Sequence, residues 1–337
     1  MDIAIVGAGA IGCRIAGHLA QRGTAATLFD TWGAHVAALD TQGLVLENAD
    51  GSRERFAVRA RGFENPPAHR FDLVMLAVRS DGTEAALPLV RRLLKDDGCV
   101  LSCQNGLNEE AIAAAVGAQR TLGCSLVFGA KLVAPGHVMV LPGPDVLRTG
   151  ELVGGTSERL ERIVALLGAC GTSAATPNLL GYRWMKLVLN GTGNTLLLLT
   201  GLDAHALHAR EDARRAIIAV AGEILATAIA AGVTPEPVLE VEAQEWVAAL
   251  ARTSTRLHEA LAAHGAMLGG RRLSMVADFE ARGRTEVDHI NGFVVHKAKS
   301  LGRAAPLNER VWRMVREMER GERQAGLQAI EELLRTV

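Results

Sequence analysis

What this chain lacks narrows its class first. Aromatic residues are only 4% of it, with a single tyrosine, so platforms for stacking unpaired bases have little to be built from. Neither sign of charge is in surplus, since 36 Lys and Arg face 37 Asp and Glu for a net charge of −1. That balance removes the electrostatic argument for a nucleic acid or an anionic membrane as partner. The five cysteines, Cys13, Cys99, Cys103, Cys124 and Cys170, form no Cys-x-x-Cys pair. An odd set of isolated thiols argues against a disulfide framework and against a metal site, and for buried cysteines in a reducing cytoplasm. The most apolar helical stretch, 216–232, contains Gly222 and Glu223 and follows Arg214-Arg215, which makes it a core helix and not a membrane span. A strand beginning at Asp2 leaves no room for a signal peptide. No short repeat or low-complexity segment occurs.

What is present is a large apolar complement, 49% of 337 residues, enough for about two domains. The first opens with a buried strand at 2–6, followed at once by Gly7-Ala8-Gly9-Ala10-Ile11-Gly12 and a helix from Cys13 to about Gln21. A second strand, 25–29, ends at Asp30, 18 positions after the last glycine. Gly-x-Gly-x-x-Gly alone is common, but between a strand and a helix with an acidic residue at that distance it has the context of a dinucleotide site. Gly7 permits the tight turn, Gly9 lets the backbone approach a pyrophosphate, Gly12 lets the helix pack on the sheet, and the helix start favours an anion. Asp30 suits a ribose 2′-hydroxyl and so favours NAD(H). A 2′-phosphate there would meet like charge, worth at most about 4 kcal/mol at ~4 Å and an effective dielectric of ~20.

Further along, 44–59 reads as a hairpin about Asn48-Ala49-Asp50-Gly51. Strands at 71–78 and 99–103 flank a helix at 82–95, and short strands follow around Pro135-Gly136 and Pro142-Gly143. A helix at 156–169 precedes the end of this domain. Ligands of a doubly wound sheet lie beyond the carboxyl ends of its strands. Arg79 and Asn105 stand there, although Arg79 also fits a solvated charge and Asn105-Gly106 ordinary turn chemistry. The boundaries are thus 1–177 for a dinucleotide-binding domain and 178–337 for an all-helical substrate and catalytic domain. Helices are expected at 181–199, 211–231, 235–250, 255–267, 272–280, 285–301 and 306–335.

The chain is organised around 181–199. At about 100° per residue, Lys186, Asn190 and Asn194 fall within roughly 80° of one another. Each polar group alone has an ordinary explanation, a lysine snorkelling to water or an asparagine bonding a loop. Three in one line on an apolar helix need partners, because unpaired burial costs about 1–3 kcal/mol apiece. A bound polar ligand is one such partner. Ser274 follows Arg271-Arg272-Leu273 at a helix start and also fits a cap. Glu286 sits at the next helix start, where the dipole alone would favour a carboxylate. Asp278, Asp288 and His289 read as structural.

Taken together, these residues resemble the ketopantoate reductase (2-dehydropantoate 2-reductase) family over nearly the whole chain. The matching pieces are the glycine-rich turn, Gln104-Asn105-Gly106-Leu107, the Lys186, Asn190 and Asn194 stripe, Ser274-Met275, and Thr285-Glu286-Val287-Asp288 before Ile290-Asn291-Gly292. The resemblance implies an α/β fold, an N-terminal Rossmann-type doubly wound sheet joined to an all-helical C-terminal domain. It implies reduction of a small-molecule 2-oxo acid to a D-2-hydroxy acid with NADP(H), in pantothenate and coenzyme A biosynthesis. By the same resemblance Lys186 is the general acid, and Asn190 and Asn194 hold substrate oxygens. Ser274 would take the substrate carboxylate, Glu286 the hydroxyl and cofactor ribose, and Asn105 would orient both ligands. Asp30-Thr31 departs from the family's usual basic residue, and Arg79 stands where lysine is frequent. An NAD-dependent D-2-hydroxyacid dehydrogenase of the same family is therefore the alternative enzyme. A nicotinamide-binding sensor is the alternative from another class. A homodimer is compatible with the amphipathic C-terminal helix.

Overall fold

The computed structural model describes residues 1–270 and 273–335. Arg272, the expected first residue of one helix, and Thr336-Val337 at the chain end lie outside that description. The chain divides into two compact units, Met1–Leu179 and Leu180–Val337.

The first unit is built on β1 (Ile3–Val6), all four residues of which are buried. Such a continuous apolar run suits a parallel strand covered on both faces. It pairs in parallel with β2 (Ala26–Asp30) and with β6 (Phe71–Leu76). The parallel order is β5-β2-β1-β6-β7-β8, with β5 at Arg59–Gly62, β7 at Leu94–Ser102 and β8 at Thr121–Ala134. This is the doubly wound order, in which the chain reverses direction beside β1. Helices α1 (Ala10–Gln21), α2 (Gly33–Gln42) and α5 (Glu158–Leu167) contribute to the core on one face. Helices α3 (Thr83–Leu93) and α4 (Glu109–Val116) contribute to the core on the other.

Several details differ from expectation. The hairpin is confined to β3 (Leu44–Glu47) and β4 (Arg53–Phe56), turning at Asn48–Gly51. The residues just after it form β5, an edge strand of sequence Arg-Ala-Arg-Gly whose composition gives no apolar signal. In place of short strands, β8 and β9 (His137–Glu151) form one long antiparallel hairpin turned at Pro135-Gly136. Pro142-Gly143 lies inside β9, where the register slips between Val127 and Gly129 of β8. Arg14 of α1, 1% exposed, fastens that irregular stretch. It donates to Gly129 O and Asp145 Oδ2, both at 2.7 Å, with its guanidinium 4.4 Å from the Phe128 ring centre. Strand β10 (Thr172–Ala175) adds to β9.

Apart from one isolated bridge between Val238 and Val241, the second unit is helical. It contains α6 (Leu179–Leu189) from its second residue on, α7 (Thr195–Thr200), α8 (Ala204–Ala209), α9 (Glu211–Ala230) and α10 (Ala243–Ala248). It continues with α11 (Thr255–Leu268), α12 (Ser274–Arg282), α13 (Asn291–Ser300), α14 (Pro306–Glu319) and α15 (Gln328–Leu334). Helix α9 is the centre of the core, with 12 buried residues among its 20. Among the described residues no helix is long and apolar enough to cross a membrane. The expected helix at 235–250 is helical only over α10, and 306–335 is two helices parted at Gly321, whose φ is +74°.

Candidate functional site

In the first unit the glycine-rich turn has a separate physical reason for each glycine. Gly7 has φ +99°, and a Cβ there would lie 2.5 Å from Val78 N. A Cβ on Gly12 would strike the Gly7 carbonyl and sit 3.1 Å from Ile5 Cγ2, so only glycine lets α1 start this close to β1. A Cβ on Gly9 would meet nothing within 4 Å, so the turn is open on that side. No side chain caps α1 and no acidic residue occupies its first turn. The amides of Ala10, Ile11 and Gly12 thus begin a 12-residue helix that suits an anionic diphosphate.

Beneath the turn lies a support that the sequence did not signal. His35 of α2 is 1% exposed, and its Nδ1 accepts from Gly136 N at 3.0 Å. That bond fixes the proton on Nε2, which donates to Ala8 O at 2.7 Å. Cys13 Sγ donates to the same carbonyl at 3.0 Å. All five cysteines are buried thiols outside any disulfide, and burial pushes the Cys99 thiol up to about 11 and the Cys170 thiol up to about 12.

Asp30 ends β2, half-buried, and its Oδ1 accepts from Trp32 N at 2.9 Å. It lines a pocket with Asp40, Arg61, Glu64 and Asn65. Arg53 and Arg55 are engaged elsewhere, with Glu47 and with Gln42 O, so Arg61 is the cation that shares this pocket. Arg79 pairs with Asp81 at 3.7 Å and is 22% exposed on its side chain, so it is not a freely solvated charge. Asn105 O accepts from Ser80 Oγ at 2.9 Å and from Asn108 Nδ2 at 2.7 Å. Gln104 Nε2 donates to Thr83 Oγ1 at 2.7 Å. Ser80, Thr83 and Asn108 therefore join the loops after β6 and β7 into one framework. The recurrence of Asn108 three residues after Asn105 was the available signal.

In the second unit, Lys186 and Asn190 are half-buried and Asn194 is 6% exposed. The helix that carries them is not the uniform α-helix expected. Residues 190–194 form a π turn between α6 and α7. Thr192 Oγ1 donates to Val188 O, and Thr195 Oγ1 to Gly191 O, both at 2.7 Å. Hydroxyls thereby satisfy carbonyls around the interrupted α-helical ladder. Asn194 Nδ2 donates to Asn190 Oδ1 at 3.0 Å. Asn194 Oδ1 is buried and accepts no bond among the described residues.

Ser274 is the first residue of α12 and exposed, and the preceding Leu273 provides no side-chain cap, so the serine is not the cap it could have been. Helix α12 packs against α7 and the π turn. Glu286, half-buried, precedes a 3-10 turn at Val287–His289, five residues before α13 begins; it is not in the first turn of an α-helix. The segment is held by Glu319, whose Oε1 accepts from both the N–H and the hydroxyl of Thr285 at 2.7 Å. Asp288 accepts from Trp312 Nε1 at 2.6 Å, a structural role as expected. Among the described residues no group of three His, Cys, Asp or Glu side chains could hold a metal.

Residues 3–154 match the family model Ketopantoate reductase PanE/ApbA, and residues 178–319 match that family's C-terminal model. The 2-dehydropantoate 2-reductase of Pyrococcus horikoshii is 28% identical over 322 residues, which cover 95% of this chain and 98% of that one. The PanE/ApbA family ketopantoate reductase structure from Ralstonia eutropha superposes with a TM-score of 0.78 at 26% identity, covering 96% of this chain and 100% of the other. A D-mandelate dehydrogenase with NADH and anilino(oxo)acetate has the same fold, with a TM-score of 0.82 at 23% identity over 96% and 99% of the two chains. The protein is an NAD(P)-dependent oxidoreductase acting on CH–OH groups. It belongs to the ketopantoate reductase family.

Proposed function

We propose that the protein reduces 2-dehydropantoate to D-pantoate, with its first unit binding the dinucleotide and its second holding the 2-oxo acid. The observation that carries this reading is the lysine and paired carboxamides on one interrupted helix, with Asn194 Oδ1 left buried and unbonded among the described residues. An unsatisfied buried oxygen costs about 1–3 kcal/mol, and a substrate hydroxyl or a water bridging to substrate would relieve it. Relatives named 2-dehydropantoate 2-reductase that align over nearly their whole length support the same substrate.

The nicotinamide, when bound, supplies the hydride. Lys186 then stabilises the charge that develops on the former carbonyl oxygen and gives it a proton. Asn190 and Asn194 hold substrate oxygens, Ser274 the carboxylate and Glu286 the new hydroxyl and the cofactor ribose. The turn Gly7–Gly12 carries the diphosphate, and Arg79 and Asn105 border the cofactor. Asp30 is the ribose ligand.

A second reading rests on Asp30 together with Asp40 and Glu64, which among the described residues set three carboxylates around one pocket against the single guanidinium of Arg61. That lining disfavours a 2′-phosphate and favours NADH, which suits an NAD-dependent D-2-hydroxyacid dehydrogenase. A panel of 2-oxo acids assayed by cofactor absorbance with NADH and NADPH separates the two. Ketopantoate as the best substrate supports the first reading, and a bulkier 2-oxo acid preferred with NADH supports the second. Tight cofactor binding without turnover of any 2-oxo acid would overturn both readings.

A further inference from the structure

The π turn at 190–194 is braced from outside the helix by a chain of buried amides. Asn291, the first residue of α13 and 0% exposed, donates from Nδ2 to Gly191 O at 2.9 Å and to Asn308 Oδ1 at 3.0 Å. Asn308 of α14, also 0% exposed, donates from Nδ2 to Glu223 Oε2 at 2.9 Å. Glu223 of α9 in turn accepts from the backbone N–H of Leu307 at 3.0 Å and of Asn308 at 2.9 Å. The Gly191 carbonyl, which also accepts from Thr195 Oγ1 at 2.7 Å, thus receives one donor from α13 that α14 and α9 hold in place. The fit is close, since a Cβ on Gly191 would stand 3.0 Å from Ile224 Cδ1 and 3.3 Å from Asn291 Nδ2.

A π turn is rare and its hydrogen bonds span one residue more than those of an α-helix, so rewinding it would rotate whatever follows. Asn194 follows Gly191 by less than one such turn, and its carboxamide direction depends on which form the segment takes. We propose that Asn291 and Asn308, oriented by Glu223, are positioning residues that hold residues 190–194 in the π form and thereby aim the Asn190 and Asn194 carboxamides at the substrate. This rests on the reading above, in which those two asparagines hold substrate oxygens. The amides touch neither substrate nor cofactor; they act through the Gly191 carbonyl.

The experiment uses Asn291→Leu in the full chain, similar in size but unable to donate, with Asn194→Ala as reference. Three quantities are read: the crystal structure of residues 190–194, the KM and kcat for ketopantoate, and the Kd for NADH by calorimetry. The expected result is a rewound turn and a KM raised by about tenfold or more, as misplacement of roughly an ångström produces. The NADH Kd should stay within about twofold, because the glycine-rich turn belongs to the other unit and the segment of Glu286 is held separately, through Thr285 and Glu319. Should Asn291→Leu fail to fold, Asn291→Ser, whose hydroxyl is too short to reach both acceptors, takes its place. Where Asn194→Ala raises KM, either an intact π turn or an unchanged KM in the Asn291 variant overturns the proposal. Where Asn194→Ala leaves KM unchanged, the substrate reading fails instead. The crystal structure alone then decides whether the amides hold the turn, with a retained π form overturning the brace and a rewound one supporting it.

Discussion

Asn194 gives its amide hydrogen to Asn190 at 3.0 Å and keeps its own carbonyl oxygen buried without a donor among the described residues. The pair is therefore half-satisfied within the protein, and its free valence lies on the same helix as Lys186. Hydrogen-bonded partners with one buried orphan atom are costly unless something completes them.

Removing the ammonium tests the chemistry directly. Lys186→Ala should lower kcat by about 10²-fold or more, a typical contribution of a positioned acid. Steady-state kinetics with ketopantoate and NADH measure it. Turnover near that of the unaltered enzyme would take Lys186 out of the reaction.

Cofactor choice is tested at Asp30. Asp30→Asn removes the charge that a 2′-phosphate would face while keeping an oxygen that can accept a bond. Affinity for NADPH should rise relative to NADH by about tenfold, equivalent to roughly 1.4 kcal/mol. Calorimetric titration with both nucleotides reads the ratio. An unchanged ratio would shift the discrimination to Glu64 or Arg61, which line the same pocket.

Glu319 is the anchor of the segment that carries Glu286. In Glu319→Ala both Thr285 donors lose their acceptor. Loss of these bonds should cost on the order of 1–3 kcal/mol of stability. A displaced Glu286 should lower kcat/KM as well, so thermal unfolding and kinetics are measured together. A lower Tm with unaltered kinetics would separate the anchor from the reaction.

Acid stability should depend on two histidines packed edge to face, His208 and His264, with ring centres 5.6 Å apart. Burial first, and then the neighbouring His208, lowers the pKa of His264 to about 4. Burial likewise lowers that of His208, with the nearby Arg214 charge adding to it, while His208 Nδ1 is held at Ala204 O. Both rings are thus neutral in the folded protein at pH values where the unfolded chain has begun to take up protons. The stability they contribute is complete above about pH 6.5 and is lost as pH falls from there toward about 4. Tm measured from pH 7 to pH 4 should fall, and His264→Phe should flatten part of that slope. An equally steep fall in the variant would assign the acid sensitivity to other groups.

Much of the first unit was legible because its signals are local. A buried strand, a glycine-rich turn and a helix in 20 residues leave few alternatives, and strand β6 and the Cys99-Val100-Leu101 end of β7 are apolar runs. What escaped were pieces defined by their neighbours. Strand β5 is Arg-Ala-Arg-Gly and exists because β2 offers it an edge. Helix α2 has no apolar periodicity to announce it, and its His35 matters through two backbone groups far away in sequence. In the second unit the polar stripe was visible at 100° per residue. The π turn beneath it was not, because it is stabilised by Asn291, 100 residues further on. From sequence alone Gly191 is only a residue that weakens a helix, whereas in the structure it is what admits α13 to its backbone.

One histidine joins the glycine-rich turn to the tip of the long hairpin, bonding Ala8 on one side and Gly136 on the other. Trimming that exposed-looking tip, the sort of edit made freely when loops are shortened for crystallisation or expression, would withdraw the Gly136 donor that sets which imidazole nitrogen carries hydrogen. The surface change would then be felt at the start of α1, as a weakened grip on whatever anion rests there.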